Sequence, residues 1–357
     1  MNQSWLDQLT SKDLSSVTAG SEQAHLPTDS VQFMARNDLA VVRFSGADVG
    51  VFLQSQTCND HAGVTGKTAQ LDGYCSPKGR LLALPMVAAD ANGEEFYWLL
   101  AKDLVETVVK RLTMIAQLPP ADPDKPWIRA VKPADVTISV EDEWAVVGLG
   151  KHSDLVSPSL DLWFGKSDAE ELSSGWSEGV CVIKARSAVG IARSLLFGPT
   201  EAVQTSLAAC LDALPDNTNE PLWSTESSWV LGDIQAGVPS IVSSTQDAFV
   251  PQMVNLGQVD GLSFTKGCYP GQEIVARMQY LGKLKRAMVR FSSASTSVPQ
   301  PGDKLSAGDD ENAGEVVSSV SVDGGMECLA VVKTAADVST FTYQGATLCA
   351  QELPYSD

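Results

Sequence analysis

Four prolines crowd into nine residues at LPPADPDKP, 118–126 of a 357-residue chain. Proline fixes φ and lacks an N–H, so neither a helix nor a central strand can run through this stretch. Each side must therefore fold as its own layer or domain. The length agrees, since it exceeds the roughly 250–300 residues that one core organises, and predicts two or three domains. Upstream, LAVVRFSG from 39 reads as a strand, and ADVGVFLQSQT as a short helix with Val49, Phe52, Leu53 and Gln56 at helical spacing. AQLDGYC and RLLALPMVAA are strand-like runs turned by SPKG, and EFYWLLA is a further strand. KDLVETVVKRLTMIAQL is a helix with Leu104, Val105, Val108, Val109 and Leu112 on one face. The order β-α-β-β-β-α predicts an α+β unit with helices on one face of a mainly antiparallel sheet. Downstream, DVTISV, EWAVVGLG, LDLWFG and GVCVIKA read as strands of a second α+β unit. TEAVQTSLAACLDAL reads as a helix capped by Thr200, and SSWVLGDIQAGVP as a shorter one. Beyond 284 the runs LKRAMVRFS, GEVVSSVSV, ECLAVVKT and ATLCAQEL are short and β-prone, which predicts a small all-β barrel.

A net charge of -19 and a pI near 4.5 repel nucleic acid and anionic membranes over most of the surface, so any RNA contact must be local. Lys266, Arg277, Lys283, Lys285 and Arg286 lie in a stretch whose one acid is Glu273; they form either a basic patch or an ordinary solvated face. No apolar run approaches the roughly 18 residues of a membrane span, and MNQSWLDQLTSKDLSS lacks a signal-peptide profile. The expectation is a cytoplasmic protein without a membrane partner. Seven scattered cysteines without a C-x-x-C pair argue for reduced thiols and against a disulfide framework, and no metal site is expected. With His25, His61 and His152 as the only histidines, none near Cys268 in sequence, no hydrolase triad is legible.

The stretch SFTKGCYPGQE, 263–273, is the strongest candidate for chemistry. Gly267 and Gly271 free the backbone, Pro270 fixes a turn, and GQEIVARMQYL then begins a helix. Cys268 thus precedes a helix N-terminus and lies two positions from Lys266, both of which favour a thiolate. A packed, unreactive cysteine in a tight corner is the competing reading.

KGCY-x-GQE, followed by VAR and GKLKR, resembles the signature of the YgfZ folate-binding proteins, relatives of the glycine-cleavage T-protein. FSGADVGVFLQSQTCND at 44–60, YCSPKGRLLA at 74–83, WVLGDIQAGVPSI at 229–241, FVPQMVNL at 249–256 and LPYS at 353–356 carry the same likeness, over about 40–356. The resemblance implies a T-protein-like cloverleaf: two α+β (ferredoxin-like) units and a C-terminal small β-barrel around a central channel. The corresponding boundaries are a polar arm 1–35, a first unit 36–118, a second 127–240, a segment 241–283 bringing the cysteine motif back to the channel, and a barrel 284–357.

The implied cofactor is tetrahydrofolate or a one-carbon derivative. The implied role is an accessory factor for iron–sulfur cluster enzymes and tRNA modification, with folate and iron–sulfur enzymes as partners and direct tRNA contact left open. Carried onto this sequence, Cys268 is the functional thiol with Lys266 beside it, and Trp229, Leu39, Tyr269, Gln272 and Glu273 fall at cofactor-binding positions. An indole can stack on a flat pterin, and nearby polar groups can read its edge. Leu39 stands where the family carries an aromatic residue, which offers an apolar wall without a second stacking ring. The acidic residue that T-protein uses in aminomethyl transfer is matched by Leu82 or Ala83, so that activity is expected to be absent. A folate-dependent one-carbon transferase and a non-catalytic interaction scaffold are the alternatives.

Overall fold

The computed structural model describes residues 23–27, 30–117, 134–165, 170–187, 190–215, 219, 222–224, 226–280, 282 and 284–355. Most of the polar arm, the linker 118–126 and Lys283 lie outside the described residues. The first sheet runs Gln70–Leu71, Met86–Ala89, Phe96–Ala101, Leu39–Ser45, Thr137–Val140, antiparallel throughout. Helices Val49–Gln56 and Val105–Ala116 belong to its core, burying Phe52, Leu53, Val108 and Leu112. Pro85 divides RLLALPMVAA: Met86–Ala89 stays in this sheet, and Leu81–Ala83 turns away to pair with Tyr74–Cys75.

Two segments cross between the units. DVTISV, expected in the second unit, supplies Thr137–Val140 to the open edge of Leu39–Ser45, with Val42 opposite Val140. An unpaired edge is a demand that a nearby strand meets, wherever it falls relative to a linker. Conversely, Val31–Ala35, read as the end of a polar arm, is a strand with all five residues buried. It lies in the second sheet between Trp144–His152, to which it is antiparallel, and Leu222–Ser224, to which it is parallel. Ile191–Pro199, Val180–Ala185 and Ser174–Ser177 complete that sheet.

Two expectations are corrected here. LDLWFG is not a strand: Pro158–Leu160 forms a 3-10 turn that leads into the helix Asp161–Phe164. Its buried Leu160, Trp163 and Phe164 follow helical spacing, i, i+3, i+4, which so short a stretch conceals. Thr200 is not a cap, because the helix Thr200–Asp212 is preceded by Pro199 at that position, and the Thr200 hydroxyl donates to the Glu143 carbonyl at 2.7 Å.

The C-terminal sheet has seven strands, from Ala346–Thr347 through Phe341–Tyr343, Lys304–Ala307, Asp310–Val322, Gly325–Lys333 and Arg286–Ser293 to Cys349–Gln351. Its two edges are consecutive in the chain, separated only by the buried Leu348, so the sheet curls into a nearly closed barrel. The inner faces of the first two sheets share a core in which Met34, Leu195 and Phe197 meet Val41, Tyr97 and Leu99. At roughly 1.5–3 kcal/mol for each fully buried apolar side chain, this core fixes the two sheets against each other and with them the walls of the cavity described next.

Candidate functional site

A cavity of about 230 Å³ opens where the units meet. Leu39, Met86 and Leu99 line it from the first unit, Leu195 and Trp229 from the second, and Ser318 and Ser319 from the C-terminal sheet. Trp229 stands on the helix Glu226–Ala236 and is 2% exposed. Its room comes from Gly148 on the neighbouring strand, where a Cβ would sit 2.3 Å from the indole Cε3.

Two arginines flank the indole. The Arg193 guanidinium lies 4.5 Å from its ring centroid and that of Arg36 lies 5.3 Å away, within cation–π range. Arg193 is fully buried, donating Nη1 to the Trp229 carbonyl at 3.1 Å, Nη2 to Asp233 Oδ1 at 2.8 Å, and Nε to the Arg186 carbonyl at 3.1 Å. Gly232 admits it, since a Cβ there would come within 2.5 Å of Nη1. Arg36 grips Asp38 with both prongs, Nε to Oδ1 at 2.8 Å and Nη2 to Oδ2 at 2.7 Å. Burial works against its charge, but the Asp38 carboxylate, with Asp233 and Glu226 beyond, more than compensates and raises its pKa. The cavity is thus apolar on its walls and carries paired charges at Arg36/Asp38 and Arg193/Asp233.

These residues suit a flat heterocycle edged with donors and acceptors. Leu39, Leu99 and Leu195 supply apolar walls, and arginine donors and carboxylate acceptors supply polar ones. The volume is below the roughly 300–1,000 Å³ of sites that enclose a whole drug-sized molecule, so it matches a ring-sized head group. With two guanidiniums and Gly148 against it, Trp229 does not offer an open face for stacking; it sets the position of the arginines.

Trp229 and Leu39 therefore come together in one cavity, whereas Lys266, Cys268, Tyr269, Gln272 and Glu273 do not line it. The motif docks instead on the first unit. Lys266 Nζ donates to the carbonyls of Gln54, Thr57 and Asn59 at 2.7, 2.6 and 2.7 Å, closing the C-terminal end of the helix Val49–Gln56. Burial lowers its pKa, opposed by Asp72. Tyr269 is buried 5.4 Å from that ammonium, and burial holds its phenol well above the ordinary range. Gly271, at φ +84°, lies against the Ser76–Gly79 turn, where a Cβ would come 2.4 Å from the Ser76 carbonyl oxygen. Gln272 opens the helix Gln272–Tyr280, and Glu273 is exposed, paired with Arg277 at 2.9 Å. Cys268 is exposed on this loop. Of the two positions matched to the T-protein acid, Ala83 is buried and Leu82 faces another groove; the cavity wall nearby is Leu84.

No protein-family model matches the chain. It is 27% identical over 298 residues to a protein of Haemophilus influenzae named only as uncharacterized, covering 82% of this chain and 86% of that one. It is 26% identical over 348 residues to the tRNA-modifying protein YgfZ of Escherichia coli, covering 93% of this chain and 95% of the relative. The chain is a homologue of the YgfZ proteins. Its fold matches the crystal structure of the glycine cleavage system aminomethyltransferase T of Bartonella henselae, with a TM-score of 0.64 at 10% identity over 94% of this chain and 87% of that one. The homology to YgfZ proteins and the T-protein fold thus agree with the α+β architecture and its nearly closed C-terminal barrel. Among the described residues no helix is long and apolar enough to cross a membrane, and no group of three or more histidine, cysteine, aspartate or glutamate side chains could hold a metal.

Arg36, Arg193 and Asp233 escaped the sequence reading. Asp233 carried a usable signal, four residues beyond Trp229 and hence on the same helical face. Arg193 did as well, as a lone charge inside the apolar run IARSLLFG.

Proposed function

We propose that the chain binds tetrahydrofolate or a one-carbon derivative in the central cavity and acts as an accessory factor in tRNA modification and for iron–sulfur enzymes. One observation carries this reading: Trp229 and Leu39, matched to the family's folate positions by sequence alone, line the same cavity at the junction of the units. Homologues named for tRNA modification and a T-protein fold support the coarser part. When bound, the folate supplies a one-carbon carrier. The chain's own residues bind its head group between Leu39 and Leu195, orient its polar edge against Arg36 and Asp233, and exclude water from the apolar walls. Cys268 is the functional thiol, and its exposure suits contact with a macromolecular partner in solution. Lys266 supports that loop, since its ammonium is fully engaged with three carbonyls. Aminomethyl transfer of the glycine-cleavage type is not expected, because Leu84 stands on the cavity wall near the T-protein acid position and the lining acids Asp38 and Asp233 are both held by arginines.

The test is a titration of tetrahydrofolate followed by tryptophan emission in the parent protein and in Trp229→Phe. A saturable change in the parent, weakened about tenfold or more in the variant, supports the reading. Absence of saturation in the parent at millimolar ligand refutes it.

A further inference from the structure

A second concavity, of about 570 Å³, runs along the helix Val105–Ala116 on the far side of the Leu81–Ala83 ribbon, and shares no lining residue with the central cavity. Leu82, Val108, Met114 and Ile115 give it an apolar surface, and Met114 is 61% exposed. A thioether that mobile adapts to apolar partners of varied shape. Its charged groups are of one sign. Lys110 and Arg111 line it without a salt bridge among the described residues, and no described acid lines it, in a chain whose net charge is -19.

Tyr74 supplies the decisive detail. The residue lines this concavity beside Arg111, is 1% exposed and packs its ring 6.4 Å from Trp98, and its buried hydroxyl has no acceptor for its proton. Burial raises the phenol's pKa, opposed by the charge and hydrogen bonding of Arg111; a guanidinium only donates, so the phenolic O–H itself is left without an acceptor. A buried donor left unmatched is costly and in a native fold calls for an acceptor. An ionised carboxylate is acceptor-only and matches both a phenolic O–H and the guanidinium fork. The volume falls within the roughly 300–1,000 Å³ of small-molecule sites.

We propose that this groove is a second binding site, for a small organic carboxylate with an apolar body, its head group on Arg111 and Tyr74 and its body along Leu82, Val108 and Met114. Calorimetric titration of the full chain with sodium octanoate, and with octan-1-ol as the uncharged counterpart, tests it. The expected result is one saturable site for octanoate, with the alcohol weaker by about tenfold or more. Arg111→Met and Tyr74→Phe, both folded by circular dichroism, should each weaken octanoate about tenfold, while Arg36→Met in the central cavity stays within about twofold of the parent. Failure to saturate, equal affinity for the alcohol, or loss in Arg36→Met with Arg111→Met unaffected would each overturn the proposal.

Discussion

The Arg193 guanidinium lies 4.5 Å from the centroid of the Trp229 ring while its Nη1 hydrogen-bonds the carbonyl of that same residue at 3.1 Å. One buried cation thereby fixes both the ring and the backbone of the helix that carries it. Arg193 reaches Arg186, Trp229 and Asp233 from three different nitrogens, and a lysine, whose donors all sit on one nitrogen, cannot span acceptors placed around a planar fork. Arg193→Lys should therefore cost about 2–4 kcal/mol, by urea denaturation, from buried groups left unmatched. It should also weaken tetrahydrofolate binding in the emission titration; an unchanged affinity would detach this arginine from the site.

Docking of the cysteine loop rests on Lys266 and Gly271. Replacing Lys266 by methionine keeps the stem and leaves three carbonyl oxygens without their shared donor, an expected loss of about 3 kcal/mol. Gly271→Ala meets both the strained φ of +84° and the Ser76 carbonyl, with a cost of about 1–3 kcal/mol. In both variants limited proteolysis should cut within 263–273 faster than in the parent, and equal cleavage rates would show that the loop is held by something else.

Exposure divides the thiols. Cys268 and Cys349 are exposed and the other five cysteines are buried, so brief iodoacetamide treatment of the native protein should add two carbamidomethyl groups, and treatment in denaturant seven. Peptide mapping should find the native adducts at Cys268 and Cys349. In a deletion strain, Cys268→Ala should fail to restore iron–sulfur enzyme activity while Cys349→Ala succeeds; full rescue by Cys268→Ala removes the thiol from the proposed role.

Alkaline pH should destabilise the fold. Burial pushes Cys210 and Cys328 from an ordinary 9.0 up to about 12, and raises Cys58 and Cys181 as well. A raised folded pKa means that the native state holds its proton longer than the unfolded chain does. The stability this represents is fully present below pH 9 and is lost as pH rises toward 12, at up to about 1.4 kcal/mol per pH unit for each thiol. Lys266, whose pKa is lowered, acts in the opposite sense just below its ordinary 10.5 and offsets part of the slope. Denaturation midpoints at pH 8, 9.5 and 11 should fall progressively, and the fall should be shallower in Cys210→Ala. A flat profile would contradict the burial assigned to these thiols.

The sequence revealed what depends on local periodicity and concealed what depends on pairing across the chain. Val49, Phe52, Leu53 and Gln56 were named from spacing, and they are the residues the helix buries. Val31–Ala35 has no period to betray it, because both of its faces are covered and its neighbours in the sheet lie more than a hundred residues away. The same division holds in the site. Trp229 and Leu39 followed from resemblance, but the arginines around the indole depend on Gly148 and Gly232 leaving space, a condition set by strands and helices that meet only in three dimensions.

That exchange of strands has a consequence for anyone handling the protein in pieces. Since residues before 36 complete one sheet and residues after 134 complete the other, scission at the prolines would strand each half without a rung the other owns. Neither fragment expressed by itself should be well behaved, yet the two co-expressed could reassemble, with the nick held shut by the interlaced ladders.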